Sequence, residues 1–253
     1  MPELFQNHPL ITDANLQGYW KFEDNLTDSS GNGHTLTPNG TPIYQNDSKY
    51  DYVKFLQRYT QTTQGYYALI SDGMNVDGGD ITMCVWFRDF TTRTGTDSGI
   101  IGQANITSNT RYAISRDSAG TGLIFYRSGI GGGGTEGKIT LTWATYISTT
   151  TWAHLSLTYD GTNVKAYVNG NYINQAAASG DGSGCGGSAT GFGVGITSGW
   201  DGWTGPKYCA MGHYDEAVVF DRALTAEEIS SIYNFQLLNN RRYRRIRLPG
   251  SIV

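Results

Sequence analysis

The stretch from Trp152 to Ile173 leaves the backbone little choice. Leu155, Leu157 and Tyr159 alternate with His154, Ser156 and Thr158. In extended chain successive side chains point to opposite sides, so each set of three occupies its own face. Asp160-Gly161 then supplies a turn whose positive φ suits glycine. Val164, Ala166 and Val168 share one face of the return strand, and Asn169-Gly170 turns the chain again. The pattern predicts a β-meander. Similar runs recur with turn residues between them at Gly18–Glu23, Ser98–Ile101, Arg111–Arg116 and Gly122–Arg127, the spacing of an all-β sandwich. Ile81–Phe87 is apolar on both faces and reads as a central strand.

Composition agrees. Gly (34) and Tyr (17) are abundant and charged residues few, as expected of short strands joined by tight turns. A chain of 253 residues fits one large β domain with one core. One helix is expected, from about Ala226 to Phe235. Thr225 and Glu228 form a capping box, Leu224 can staple against Ile229, and Ala226, Ile229, Ile232 and Tyr233 repeat at helical spacing. The expected organisation is an N-terminal arm over 1–13, a sandwich over 14–237 and a basic tail over 238–253.

These residues resemble the concanavalin A-like lectin/glucanase superfamily, within it the laminin-G-like group that includes pentraxin-like modules. Four segments carry the likeness: Leu16–Phe22 with Asp28–His34, Ile81–Phe87, Trp152–Gly161 with Tyr167–Gly170, and Gly212–Leu224 with the helix after it. The resemblance implies a jelly roll of two antiparallel sheets whose first strand lies beside the last strand before the helix. It also implies a structural calcium between the loop after the first strand and the final strand, held by Asp28, Gly31, Asn32, His34 (through its carbonyl) and Asp215. Calcium takes six to eight oxygens, which such a loop supplies; the alternative is an Asx turn at Asp28 and a solvated Asp215.

Chemistry-bearing motifs are sparse. Related glucanases carry their carboxylates on alternate residues of one strand, and a retaining pair must share a face. Here Asp215 and Glu216 are adjacent, which in a regular strand sends them to opposite sides, so no catalytic residues are assigned. Gly132–Lys138 mimics a P-loop but continues with Ile139. Gly182, Gly184 and Gly187 mimic a dinucleotide fingerprint without a βαβ context. Trp20, Trp86 and Trp152 fall in strands and read as core. Trp200, Asp201 and Trp203 lie in a Gly-rich stretch, where indoles can stack on sugar rings beside a polar group or fold down to seal the sandwich. Cys84 reads as a buried core residue, and Cys185 with Cys209 can pair or stay reduced.

Charge is uneven. The net charge is −4, yet Arg241, Arg242, Arg244, Arg245 and Arg247 are five of 18 basic residues and no acid follows Glu228, so residues 1–240 carry −9 and the tail +5. Apolar residues and Tyr243 interleave with these arginines, which favours docking on a protein surface or assembly into a homo-oligomer or particle over binding nucleic acid phosphate. No apolar run is long enough to span a membrane, and residues 1–9 lack the pattern of a signal peptide. The expectation is a non-catalytic binding or adhesion module, for carbohydrate or a protein surface, displayed outside a cell or on a virion. A decoration or fibre protein of an assembled particle is the alternative, and a glycoside hydrolase ranks third.

Overall fold

The computed structural model describes residues 7–38, 43–47, 50–57, 68–70, 79–90, 98–105, 111–128, 135–179, 190–195 and 210–235. A 3-10 turn, η1 (Pro9–Thr12), precedes the strands β1 (Leu16–Trp20), β2 (Thr37–Pro38), β3 (Ile43–Asp47), β4 (Tyr50–Gln57), β5 (Ala68–Ile70), β6 (Ile81–Asp89), β7 (Ser98–Asn105), β8 (Arg111–Arg116), β9 (Gly122–Ser128) and β10 (Gly137–Thr142). A single helical turn, α1 (Trp143–Tyr146), leads into β11 (Ala153–Tyr159), β12 (Asn163–Val168), β13 (Asn171–Ala177), β14 (Thr190–Val194) and β15 (Gly212–Phe220). Helix α2 occupies 226–235.

The described strands form two antiparallel sheets. Sheet A runs β13-β12-β11-β6-β15-β4-β3, with β1 also on β15, and sheet B runs β10-β9-β8-β7-β14-β5-β2. The expected jelly-roll sandwich is therefore what forms, with the ends of its body joined: Leu16 lies opposite Phe220, Tyr19 opposite Val218 and Trp20 opposite Ala217.

Alternation builds the core. One row across sheet B aligns Val194, Ile101, Ile114, Phe125 and Ile139. Sheet A answers with Val85, Leu155 and Val168 in one row and Met83, Leu157 and Ala166 in another. All of these are buried in one apolar cluster between the sheets. The meander closes as its turn residues require, since Asn169 (φ 50°) and Gly170 (φ 75°) are both left-handed. Gly170 has a second reason to be glycine: a Cβ there would stand 2.9 Å from the Tyr233 ring.

Sheet A carries a second apolar layer on its outer face. Tyr19, Cys84, Tyr167, Val218 and Phe220 pack with Leu224, Ile229 and Ile232, and Leu10 and Ile11 of η1 close the margin. The capping box exists: Thr225 Oγ1 accepts the Glu228 N–H (3.2 Å), and the Glu228 carboxylate accepts the Thr225 N–H (2.8 Å). Thr82 pins the approach to the helix, its hydroxyl donating to the Arg222 carbonyl and accepting from the Leu224 N–H, each at 2.8 Å. Arg222 ties Glu228 to Asp13, with ion-pair distances of 2.7 and 2.6 Å. Glu228, and after it Asp13, hold the guanidinium above its ordinary pKa, while Arg222 holds Glu228 below the usual carboxylate range. Residues 8–13 are thus fastened to the helix, His8 adding a 3.1 Å contact to Ser231.

Candidate functional site

The Asp28–His34 loop is built as a cover for a strand edge. Asp28 Oδ1 accepts the N–H groups of Tyr19 (3.0 Å) and Ser30 (2.8 Å), and Oδ2 accepts the Ser30 hydroxyl (2.8 Å) and the His34 N–H (3.0 Å). Asn32 donates its amide to the Leu16 (2.6 Å) and Gln17 (3.2 Å) carbonyls, and the Ser29 N–H reaches the Tyr19 carbonyl (2.7 Å). The His34 carbonyl accepts the Trp20 indole N–H (2.9 Å). The loop's side chains thus stand where another strand would pair with β1.

A carboxylate offers about four lone-pair sites, and here four donors meet Asp28. A cation bound through this side chain would have to displace one of these donors, the rotatable Ser30 hydroxyl most readily. Gly31 is exposed with φ 94°, as the turn requires. Asp215 sits on β15 beyond Ala217, buried at 6% exposure rather than solvated, with Oδ1 on the Glu216 N–H (3.0 Å). Among the described residues no group of three or more His, Cys, Asp or Glu gathers as metal ligands.

Asp215 and Glu216 do not point to opposite sides. The β15–β6 register breaks between Asp215 and Val218, and Glu216 takes a left-handed φ of 48°, a bulge that cancels one step of the alternation. Asp215 lies opposite Trp86, and Glu216 accepts the hydroxyl of Tyr19 (2.8 Å), a member of the outer layer. Both carboxylates therefore belong to the outer face of sheet A, and both are buried. Adjacency in sequence gave the wrong geometry because a positive φ at glutamate is imposed by tertiary packing.

The tryptophans divide. Trp20 is core, stacked on Phe192 with centroids 5.1 Å apart. Trp86 is buried on the outer face, between His154 (5.2 Å) and the helix residue Tyr233 (5.6 Å). Trp152 corrects the core assignment: it precedes β11, is only half-buried, and lies under the Arg88 guanidinium at 5.0 Å. His213 joins this group, its Nδ1 accepting from Arg88 Nε at 3.4 Å. A further polar knot carries no signal in the sequence. Asp89 accepts the Trp143 indole N–H (3.1 Å) and faces Arg116 (3.7 Å), whose guanidinium lies 4.5 Å from the Trp143 ring centroid.

Two buried groups are chemically muted. Burial raises the Cys84 thiol to about 12, an inert core cysteine as expected, and lowers the His154 imidazole to about 3. His154 Nε2 meets no hydrogen-bond partner.

Trp200, Asp201, Trp203, Cys185, Cys209 and the tail residues Arg241, Arg242, Tyr243, Arg244, Arg245 and Arg247 lie outside the described residues, as do the P-loop-like start at Gly132 and the glycines at 182, 184 and 187. Gly195 and Ala210 flank the segment that carries Trp200, Asp201 and Trp203. The Gly195 N–H donates to the Ile100 carbonyl (2.7 Å) and the Ala210 N–H to the Gly99 carbonyl (2.9 Å).

The profile of the Laminin_G_3 family, described as the concanavalin A-like lectin/glucanases superfamily, matches residues 61–230. The chain belongs to this superfamily. No curated protein matches it by sequence. Solved structures of the same fold include domain 4 of AbnA, an extracellular GH43 arabinanase from Geobacillus stearothermophilus determined in complex with arabinotriose, at 19% identity and TM-score 0.60 over 87% of this chain and 98% of that one. The binding domain of botulinum neurotoxin DC, determined in complex with rat synaptotagmin II, aligns at 11% identity and TM-score 0.64 over 88% of this chain. The binding domain of Paraclostridial Mosquitocidal Protein 1 aligns at 18% identity and TM-score 0.62 over 87%. This concanavalin A-like chain spans 52% of the length of each of these two binding-domain chains.

Proposed function

We propose that the chain is a non-catalytic binding module for carbohydrate, which it takes on the segment carrying Trp200, Asp201 and Trp203. The observation that carries this reading is how that segment is delivered. Gly195 and Ala210, at its two ends, are fastened to the neighbouring carbonyls of Ile100 and Gly99 on one strand of sheet B. A segment whose ends leave a rigid sheet side by side is the common setting for binding residues. Two indoles and a carboxylate within four residues offer apolar faces for a sugar ring and an acceptor for its hydroxyls. The likeness to an arabinanase domain in complex with arabinotriose, over nearly all of that domain, points the same way. So does a botulinum neurotoxin binding domain in complex with SialylT. The non-catalytic half rests on Asp215 and Glu216, which are buried, with Glu216 held by Tyr19.

Calorimetric titration of arabinotriose and of a sialylated oligosaccharide tests the proposal. A Trp200→Ala/Trp203→Ala double variant is expected to bind at least about tenfold more weakly, about 1.4 kcal/mol, with an unchanged Tm. Undiminished affinity, or a variant whose Tm falls along with its binding, assigns the rings to packing. Release of reducing sugar from an oligosaccharide by purified protein would refute the non-catalytic half.

A further inference from the structure

An asparagine followed by glycine carries both halves of a reaction. The glycine nitrogen can attack the asparagine Cγ and close a succinimide ring, and a following residue without a Cβ obstructs that approach least. The sequence contains three such pairs, Asn32-Gly33, Asn39-Gly40 and Asn169-Gly170, of which the second lies outside the described residues.

The two described pairs are held differently. Asn169 is half-buried, its Oδ1 accepts the His154 N–H at 2.9 Å, and Gly170 is buried against the Tyr233 ring. Asn32 and Gly33 are both exposed, and no atom beyond the chain neighbours lies within 4 Å of where a Gly33 Cβ would stand. Among the described residues the Gly33 N–H has no hydrogen-bond partner, so the attacking nitrogen is not engaged. What restrains Asn32 is its grip on β1, through Nδ2 to the Leu16 and Gln17 carbonyls at 2.6 and 3.2 Å. Local opening costs little where such bonds lie at the surface, and it frees the carboxamide to turn toward Gly33.

We propose that Asn32 is a deamidation site whose reaction unlatches the cover of the β1 edge. The Gly33 nitrogen bonds to Asn32 Cγ, the Cγ–Nδ2 bond breaks, and the carboxamide nitrogen departs as ammonia with the proton that Gly33 gives up. Water then opens the ring. Cleavage at Cγ gives aspartate, and cleavage at the main-chain carbonyl gives isoaspartate, whose backbone runs through the former side chain. Either product exchanges an amide donor for a carboxylate, which accepts and cannot donate, in front of the Leu16 and Gln17 carbonyls. Asp28 keeps its four donors, so the loop loosens at its Asn32 end rather than detaching. The change needs only water, so it converts the age of the molecule into exposure of a strand edge that the fold otherwise guards.

Incubation of the full chain in heavy-oxygen water at mildly alkaline pH, followed by digestion and fragmentation mass spectrometry, tests the site. Label is expected at position 32, as aspartate and isoaspartate, several-fold ahead of position 169. Asn32→Gln should resist labelling, because its longer side chain must close a larger ring. Asn32→Asp, standing in for the product, should lower Tm and speed amide exchange over residues 16–20 and 28–34. Should that variant fail to fold, labelled wild-type chain, separated from intact chain by its added charge, gives the same exchange readout. Position 32 left unlabelled, or labelled no faster than 169, would overturn the site. A product chain with the Tm and exchange of the intact protein would overturn the unlatching.

Discussion

The two sheets share one core but have differently built outer faces. Outside sheet A, Tyr19, Cys84, Tyr167, Val218 and Phe220 are roofed by α2 and η1, and Trp86 and His154 lie against Tyr233. Outside sheet B, the row next to the inner Val194–Ile139 row aligns Gly193, Gly102, Ala113, Tyr126 and Lys138. Ala113, Ile124 and Tyr126 are buried there yet belong to neither apolar cluster. The difference teaches where to look for ligand. Rings on sheet A are consumed in holding the helix, so their size says nothing of recognition, whereas sheet B carries no described helix on its outside and anchors the two ends of the segment that carries Trp200 and Trp203.

If the outside of sheet A is a second core, truncation there must be expensive. Trp86→Ala removes the ring beneath Tyr233 and is expected to cost about 3–5 kcal/mol, the range for large aromatic deletions in cores, read from urea or guanidinium unfolding. A loss below about 1 kcal/mol would make the helix a loosely attached cover rather than part of the fold.

Acid should expose the same face. Burial lowers the His154 pKa to about 3 from an unfolded value of 6.5, and burial lowers His8 as well. In that interval the unfolded chain binds more protons than the folded one, so stability is fully present above pH 6.5 and declines as pH falls toward the folded values. A tenfold difference in proton affinity between the two states corresponds to about 1.4 kcal/mol, which makes the loss a few kcal/mol at most. The depressed Glu228 and Asp13 lose their contribution only in the carboxylate range below, where the raised Asp80 and Asp221 act with the opposite sign. Among the described groups with a resolved shift, the slope between pH 6.5 and 5 belongs to these two histidines. His154→Leu should flatten most of it in denaturation series at stepped pH, and an undiminished slope would move the effect to His8.

The Asp28 loop divides structure from ligand in another way. Asp28→Ala strands the Tyr19 and His34 N–H groups and is expected to cost about 2–3 kcal/mol, a charged hydrogen-bond acceptor lost at a buried strand. Because four donors already meet that carboxylate, millimolar calcium or a chelator should leave Tm unchanged. A calcium-dependent rise in Tm that Asp28→Ala abolishes would show that the loop rearranges to take the cation.

What the sequence made legible was local. The Leu155/Leu157/Tyr159 alternation and the Asp-Gly and Asn-Gly turns specify β11–β13, and Thr225 with Glu228 specifies the start of α2, because each signal lies within a few residues of what it builds. The bulge at Asp215–Glu216 was not legible: nothing local in Asp-Glu demands a positive φ, and the partner that holds the Glu216 carboxylate, Tyr19, is 197 residues away. Nor did His154, Ser156 and Thr158 announce a buried outer face, since a polar stripe under a helix reads the same as one in water. The likeness of Asp28–His34 to a known loop picked out as a unit the residues that cover the β1 edge.

The smallest expected effect is the one that separates the faces most cleanly. Lys138 and Thr140 are exposed on the outer side of β10, alternating with the buried Ile139. Lys138→Ala and Thr140→Ala should change stability by no more than about 0.5 kcal/mol, as surface substitutions away from caps and cores do. Ile139→Ala, one residue from each, should cost about 2–5 kcal/mol. The three variants share a strand and differ chiefly in the side each residue faces, so unfolding midpoints compared at equal m-value isolate burial from strand propensity. If the two exposed positions proved as costly as Ile139, the outside of sheet B would be a third packed layer, and the contrast with sheet A would disappear.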